Sequence, residues 1–183
     1  MTTAGQVLEM IAHQEPGLQK RLEAVPGDVL IEALGSANGE VPRAVLCDAL
    51  GFRREKGAVD HLVACLEDAS PSVRSSAADA LAKIRDPAAG EALMKRFEMP
   101  DPDLGVRRML LSALGAVGHR EAIPLLIQWL GNPDPSQRGA AAWSLGEMRA
   151  EEALTALEEA LAVERIAYPK DRIAAAIRAL RAR

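Results

Sequence analysis

Four arginines, Arg43, Arg74, Arg107 and Arg138, are each followed seven residues later by a leucine: Leu50, Leu81, Leu114 and Leu145. The steps between the arginines are 31, 33 and 31 residues. Their local settings agree as well: Pro42-Arg43-Ala44-Val45, Val73-Arg74-Ser75-Ser76, Val106-Arg107-Arg108-Met109 and Gln137-Arg138-Gly139-Ala140. A period of this length, with apolar helix between turn residues, is the pattern of stacked helical repeats. One such unit cannot bury its apolar face alone, so neighbours must cover each other.

Each period reads as two helices. In the second, Ser72 to Ile84, Val73, Ala77, Leu81 and Ile84 share one face and leave Ser75, Asp79 and Lys83 outside it. In the first, Ala58 to Leu66, the stripe is Val59, Leu62, Val63 and Leu66. The same first-helix pattern returns at 89–97, 122–130 and 153–161, and more loosely at 28–34. Pro124 fits because a first-turn residue has no intrahelical use for its N–H. Turn residues separate the helices at 69–72, 100–103 and 132–135. A last second helix is expected from about Asp171 to Ala182, and one or two helices within 1–24.

The units Asp68-x5-Arg74, Asp101-x5-Arg107 and Asn132-x5-Arg138, each leading into an alanine-rich helix, resemble HEAT repeats. Their flavour is that of the short, phycobilisome-lyase-like type. The resemblance implies an all-α fold, a right-handed α-α superhelix of about four to five helical hairpins behind an N-terminal cap. The expected organisation is one solenoid domain over 1–183, with capping helices in 1–26 and repeats over 27–182. The family consists mostly of scaffolds and adaptors, with some lyase subunits and metal enzymes, so the fold does not fix the function.

The function classes narrow by exclusion. A net charge of −4 and few aromatics give no general pull toward nucleic acid, so a HEAT-like nucleic-acid binder is the last of three readings. No apolar run is long enough to suggest a membrane span. Met1-Thr2-Thr3-Ala4-Gly5-Gln6 lacks the basic and apolar regions of a secretory signal, which makes a cytoplasmic protein the expectation. Nucleophile elbows, phosphate loops and dinucleotide fingerprints are absent from the sequence, so no enzyme and no cofactor is expected. His13, His61 and His119 form no His-Glu pair of the kind HEAT-type di-iron hydroxylases repeat, and no metal site is expected.

Two residue types invite functional readings that the pattern argues against. The repeated arginines are coupled to the core pattern, so they are expected to tie helices together, the turn Asp or Asn six residues earlier accepting from the guanidinium. Cys47 occupies the slot of Ala78, Leu111 and Ala142, that of a small packing residue. Cys65 corresponds to Arg96, Trp129 and Ala160 and is expected to be partly exposed. No basic cluster borders either thiol along the chain.

A partner, by this reading a protein or peptide, is expected on the outward positions of the second helices, which line the concave surface of HEAT solenoids. Five residues after each arginine that slot reads Asp48, Asp79, Ser112 and Trp143, and alignment of the last helix on Leu180 adds Arg178. One residue after the arginine stands Arg108 in the third repeat. Trp143 is the most telling member, because Gly139, Ala140 and Gly146 beside it are small and interface hot spots favour Trp and Arg. Charge is also segregated at the C-terminus. Glu151, Glu152, Glu158, Glu159 and Glu164 precede Lys170, Arg172, Arg178, Arg181 and Arg183, which suits a solvated terminal cap. The alternative to a scaffold is a lyase-like, chromophore-handling subunit, which only the repeat flavour suggests.

Overall fold

The computed structural model of the chain describes residues 2–182, and Met1 and Arg183 lie outside them. Twelve α-helices and four single 3-10 turns supply the regular structure, with no strand among the described residues. The chain divides into two compact units, Met1–Ala89 and Gly90–Arg183.

The first unit holds α1 (Ala4–Ala12), α2 (Leu18–Glu23), α3 (Gly27–Ser36), α4 (Glu40–Phe52), α5 (Val59–Cys65) and α6 (Pro71–Ile84). Here α3 pairs with α4, α5 with α6, and α4 packs along α6. Thr3 opens α1 with a capping box, its side chain accepting from the Gln6 N–H while Gln6 reaches back to the Thr3 N–H. Val7, Met10 and Ile11 then form the buried face that α1 turns toward α3 and α4.

The second unit holds α7 (Gly90–Glu98), α8 (Leu104–Val117), α9 (Ile123–Trp129), α10 (Pro135–Glu147), α11 (Leu154–Val163) and α12 (Ala167–Arg181). The pairs are α7 with α8, α9 with α10, and α11 with α12, while α10 packs against both α8 and α12. The turn residues set the helix starts. Asp103 caps α8 through the Val106 N–H, and Asp134 caps α10 through the Ser136 and Gln137 N–H groups. Prolines stand in the first turns of α6, α9 and α10, where no amide donor is needed. The leucines of the repeat, Leu50, Leu81, Leu114 and Leu145, are buried.

Two expectations need correction. The last helix starts at Ala167, not near Asp171, because Pro169 lies inside its first turn and does not end it. The arginine ties also differ. Arg74 donates through Nη1 to the main-chain carbonyls of Asp68 (2.8 Å) and Ala69 (3.0 Å), and Arg138 donates likewise to Asn132 (2.8 Å) and Pro133 (3.0 Å). The turn side chain is engaged elsewhere: Asp68 Oδ1 accepts from the Ser70 N–H, and Asn132 Oδ1 from the Asp134 N–H.

Carboxylates do enter the ladder, but from further along the chain. Asp68 grips the earlier arginine, Arg43, through Nε (2.7 Å) and Nη2 (3.2 Å). Glu164 grips Arg138 through Nε (2.6 Å) and Nη2 (3.0 Å), and also accepts from the N–H groups of Arg165 and Ile166. Arg107 departs from both patterns. Its guanidinium lies over the rings of Trp129 (4.9 Å) and Phe97 (5.3 Å), and those rings meet edge to face.

Candidate partner-binding faces

Asp48 on α4 and Asp79 on α6 belong to the first unit. The two helices approach closely at Gly51, where an added Cβ would stand 2.6 Å from Ala80 Cα, so only glycine fits. This crossing brings Asp48 to the Ser76 hydroxyl. Burial raises the Asp48 carboxyl above the ordinary aspartate range, opposed by the Ser76 hydrogen bond and by the charge of Lys83. Asp79 pairs with Lys83 one turn on, and the Lys83 ammonium also sits 3.8 Å from the centre of the Phe52 ring. Both acids are half-buried and Phe52 is 57% exposed. Beside them Leu18, Leu22, Val45, Ala49 and Phe52 line a mostly apolar cleft of about 180 Å³, with Gln19, Glu23 and Asp48 as its polar lining.

Arg108, Ser112, Trp143 and Arg178 belong to the second unit. Polar contacts fix α8 against α10: Ser144 Oγ donates to the Leu111 carbonyl (2.8 Å) and Gln137 Nε2 to the Leu104 carbonyl (2.7 Å). Gly115 lets the backbones meet, since a Cβ there would lie 2.5 Å from Ser144 Cα. Trp143 and Arg108 are half-buried, and Arg178 is exposed. Ser112 spends its hydroxyl on the Arg108 carbonyl one turn back (3.1 Å), which makes it a weaker contact candidate than its slot suggests.

The small residues near Trp143 have a different use from the one expected. A Cβ on Gly139 would meet the Tyr168 ring at 2.4 Å, and one on Gly146 would meet Ala176 Cα at 3.0 Å. They admit α12, and do not clear space for the indole. Tyr168 is thereby revealed as a face residue, 44% exposed, with the Arg172 guanidinium 5.6 Å from its ring centre. The sequence signal for it, the chain's one tyrosine, was hidden because the last helix was expected to begin after it. The segregated C-terminal charges meet each other, Arg181 pairing with Glu158. Of that basic set, Arg183 lies outside the described residues. Among the described residues no group of three or more His, Cys, Asp and Glu side chains is placed to hold a metal ion.

No helix among the described residues is long and apolar enough to cross a membrane. None of the curated proteins compared with the chain matches it. Solved structures do. The complex of CpcE and CpcF of phycocyanin lyase from Nostoc sp. PCC7120 aligns with a TM-score of 0.63 at 22% identity, over 98% of this chain and 95% of that one. The designed armadillo repeat protein YIII(Dq)4CqI aligns with a TM-score of 0.69 at 21% identity, over 97% and 92%. A second designed armadillo repeat protein, in complex with the peptide (KR)4, aligns at 0.57 and 20%, over 97% and 87%. At these identities the likeness concerns the fold, an all-α repeat solenoid. The model of the family described as HEAT repeats matches residues 27–105 and 98–181, and the chain belongs to that family.

Proposed function

We propose that this protein is a non-catalytic, cytoplasmic interaction scaffold or adaptor, a single repeat domain with a capped N-terminus that binds a protein or peptide. Its contact residues are Arg108, Ser112, Trp143 and Arg178 of the second unit and Asp48 and Asp79 of the first. Trp143 carries this reading. A half-buried indole in an outward slot leaves apolar area in water, and tryptophan and arginine dominate interface energetics where they cluster. The repeat neighbours support the reading too, one of them a designed protein in complex with a peptide.

Affinity capture from source-cell extract tests it, with the wild-type chain and Trp143→Glu compared by mass spectrometry. The expected result is a stoichiometric protein retained by wild type and lost from the variant, both chains having the same helical circular dichroism. Equal capture by both places the interface away from Trp143, and no capture removes the adaptor reading.

A second reading, a chromophore-handling subunit, is favoured by one observation, the likeness to a phycocyanin lyase complex over 98% of this chain. Co-expression with a bilin separates the two. Visible absorption that copurifies with the chain, or transfer of bilin to a client, supports the second reading, and colourless protein supports the first.

A further inference from the structure

The net charge of −4 is not spread evenly along the chain. Residues 1–89 carry thirteen Asp and Glu against nine Lys and Arg, whereas residues 90–183 carry thirteen of each. The excess of acid therefore belongs to the first unit, which also holds the cleft between α2 and α4. Leu18 and Leu22, one turn apart on α2, and Val45, Ala49 and Phe52 on α4 supply its apolar wall. Its polar lining, Gln19, Glu23 and Asp48, holds two carboxyl groups and no base. Neighbouring cations are engaged elsewhere: Arg21 with Glu15, Lys83 with Asp79, and Arg53 with the Glu23 main-chain carbonyl.

The cleft's volume of about 180 Å³ equals that of about six waters at roughly 30 Å³ each. That suits one long side chain and excludes a helix, which is about 10 Å across. Arginine and lysine combine an apolar stem with a charged head, the same pairing of apolar wall and carboxylates that lines this cleft. We propose that the cleft receives an arginine or lysine side chain from an extended basic segment of a partner protein or peptide. The stem lies along Leu22, Val45 and Ala49, and the head reaches Asp48 and Glu23. Burial disfavours the charge on Asp48, and a cation brought to it offsets that cost. Phe52, 57% exposed in the free chain, loses contact with water when the stem is seated. This inference rests on the reading of the protein as a protein or peptide binder, and it gives the chemistry of the partner at the first unit.

The test is selection from a phage library of random twelve-residue peptides by the full chain and three variants. Asp48→Asn keeps the side chain's size and removes its charge, Ala49→Leu fills the cleft, and Trp143→Glu alters only the second unit. Circular dichroism and urea denaturation check that each variant is folded. Wild type and Trp143→Glu are expected to enrich peptides with arginine or lysine beside apolar residues, and the other two variants are not. The best peptide, labelled and read by fluorescence anisotropy, should bind Asp48→Asn about tenfold more weakly than wild type. Citrulline in place of its arginine, or norleucine in place of its lysine, should cost about as much. Enrichment of acidic or uncharged peptides overturns the proposal, as does equal binding of the basic peptide to wild type, Asp48→Asn and Ala49→Leu. Butylguanidine bound as tightly as the peptide would make the occupant a small cation and also overturn it. Basic peptides lost only from Trp143→Glu would sink the cleft and leave the binding reading intact. Selection of no peptide by any chain removes the cleft assignment, while the capture from extract judges the binding reading separately.

Discussion

Exchanging Glu164 for glutamine keeps the side chain's size and removes its charge at a place where one carboxylate has two tasks. It holds Arg138 through two hydrogen bonds and accepts the N–H groups of Arg165 and Ile166 ahead of α12. Its side chain is only 5% exposed. The Arg138 hydrogen bonds bring the Glu164 carboxyl from 4.5 down to about 2, helped by the backbone donors and the guanidinium charge. That gap corresponds to about 3 kcal/mol of pairing, trimmed to about 2–3 kcal/mol by solvent at the turn. The folded-state value is depressed, so the stabilisation is complete above the ordinary glutamate range and is lost as pH falls from about 4.5 toward 2. Urea denaturation followed by circular dichroism should therefore show Glu164→Gln less stable by about 2–3 kcal/mol at neutral pH, with an unchanged slope. The deficit should shrink to about half near pH 3, where the unfolded carboxyl has taken up its proton while the folded one mostly has not. A deficit below about 0.5 kcal/mol, the range of an ordinary surface pair, would refute the reasoning. So would one that stays constant with pH.

Other positions give further checks. Gly115→Ala forces a Cβ against Ser144 backbone and should destabilise by about 1–3 kcal/mol in the same assay. Gly35→Ala, in open space on α3, should stabilise by about 0.5–1 kcal/mol, and a loss there would contradict the packing described. Arg107→Gln removes the cation from the Phe97–Trp129 pair, for an expected loss of about 0.5–2 kcal/mol and a change in Trp129 fluorescence.

How much of this was visible in the sequence depends on the range over which each feature is encoded. The period of the arginines and leucines, the buried stripe Val73-Ala77-Leu81-Ile84 and the proline-marked starts are local, so they could be read directly. The arginine partners could not. Arg43 meets Asp68 and Arg138 meets Glu164 across a repeat, while the nearer turn side chains are occupied by backbone N–H groups. Gly139 looked like open ground beside Trp143 because the ring that covers it comes from α12. The six contact candidates follow from their slots in the repeat. The structure separates them into a half-buried acidic pair beside the exposed Phe52, and a set of four on α8, α10 and α12.

The most direct test of binding through the second helices is site-specific photo-crosslinking in source-cell extract. One chain carries the photoreactive residue in place of Trp143 on α10, and a control carries it in place of Gln128, exposed on the first helix α9. A discrete protein adduct from position 143 and none from position 128 is the result predicted here. Adducts from position 128 alone, or none from either position while the chain remains folded, would contradict it.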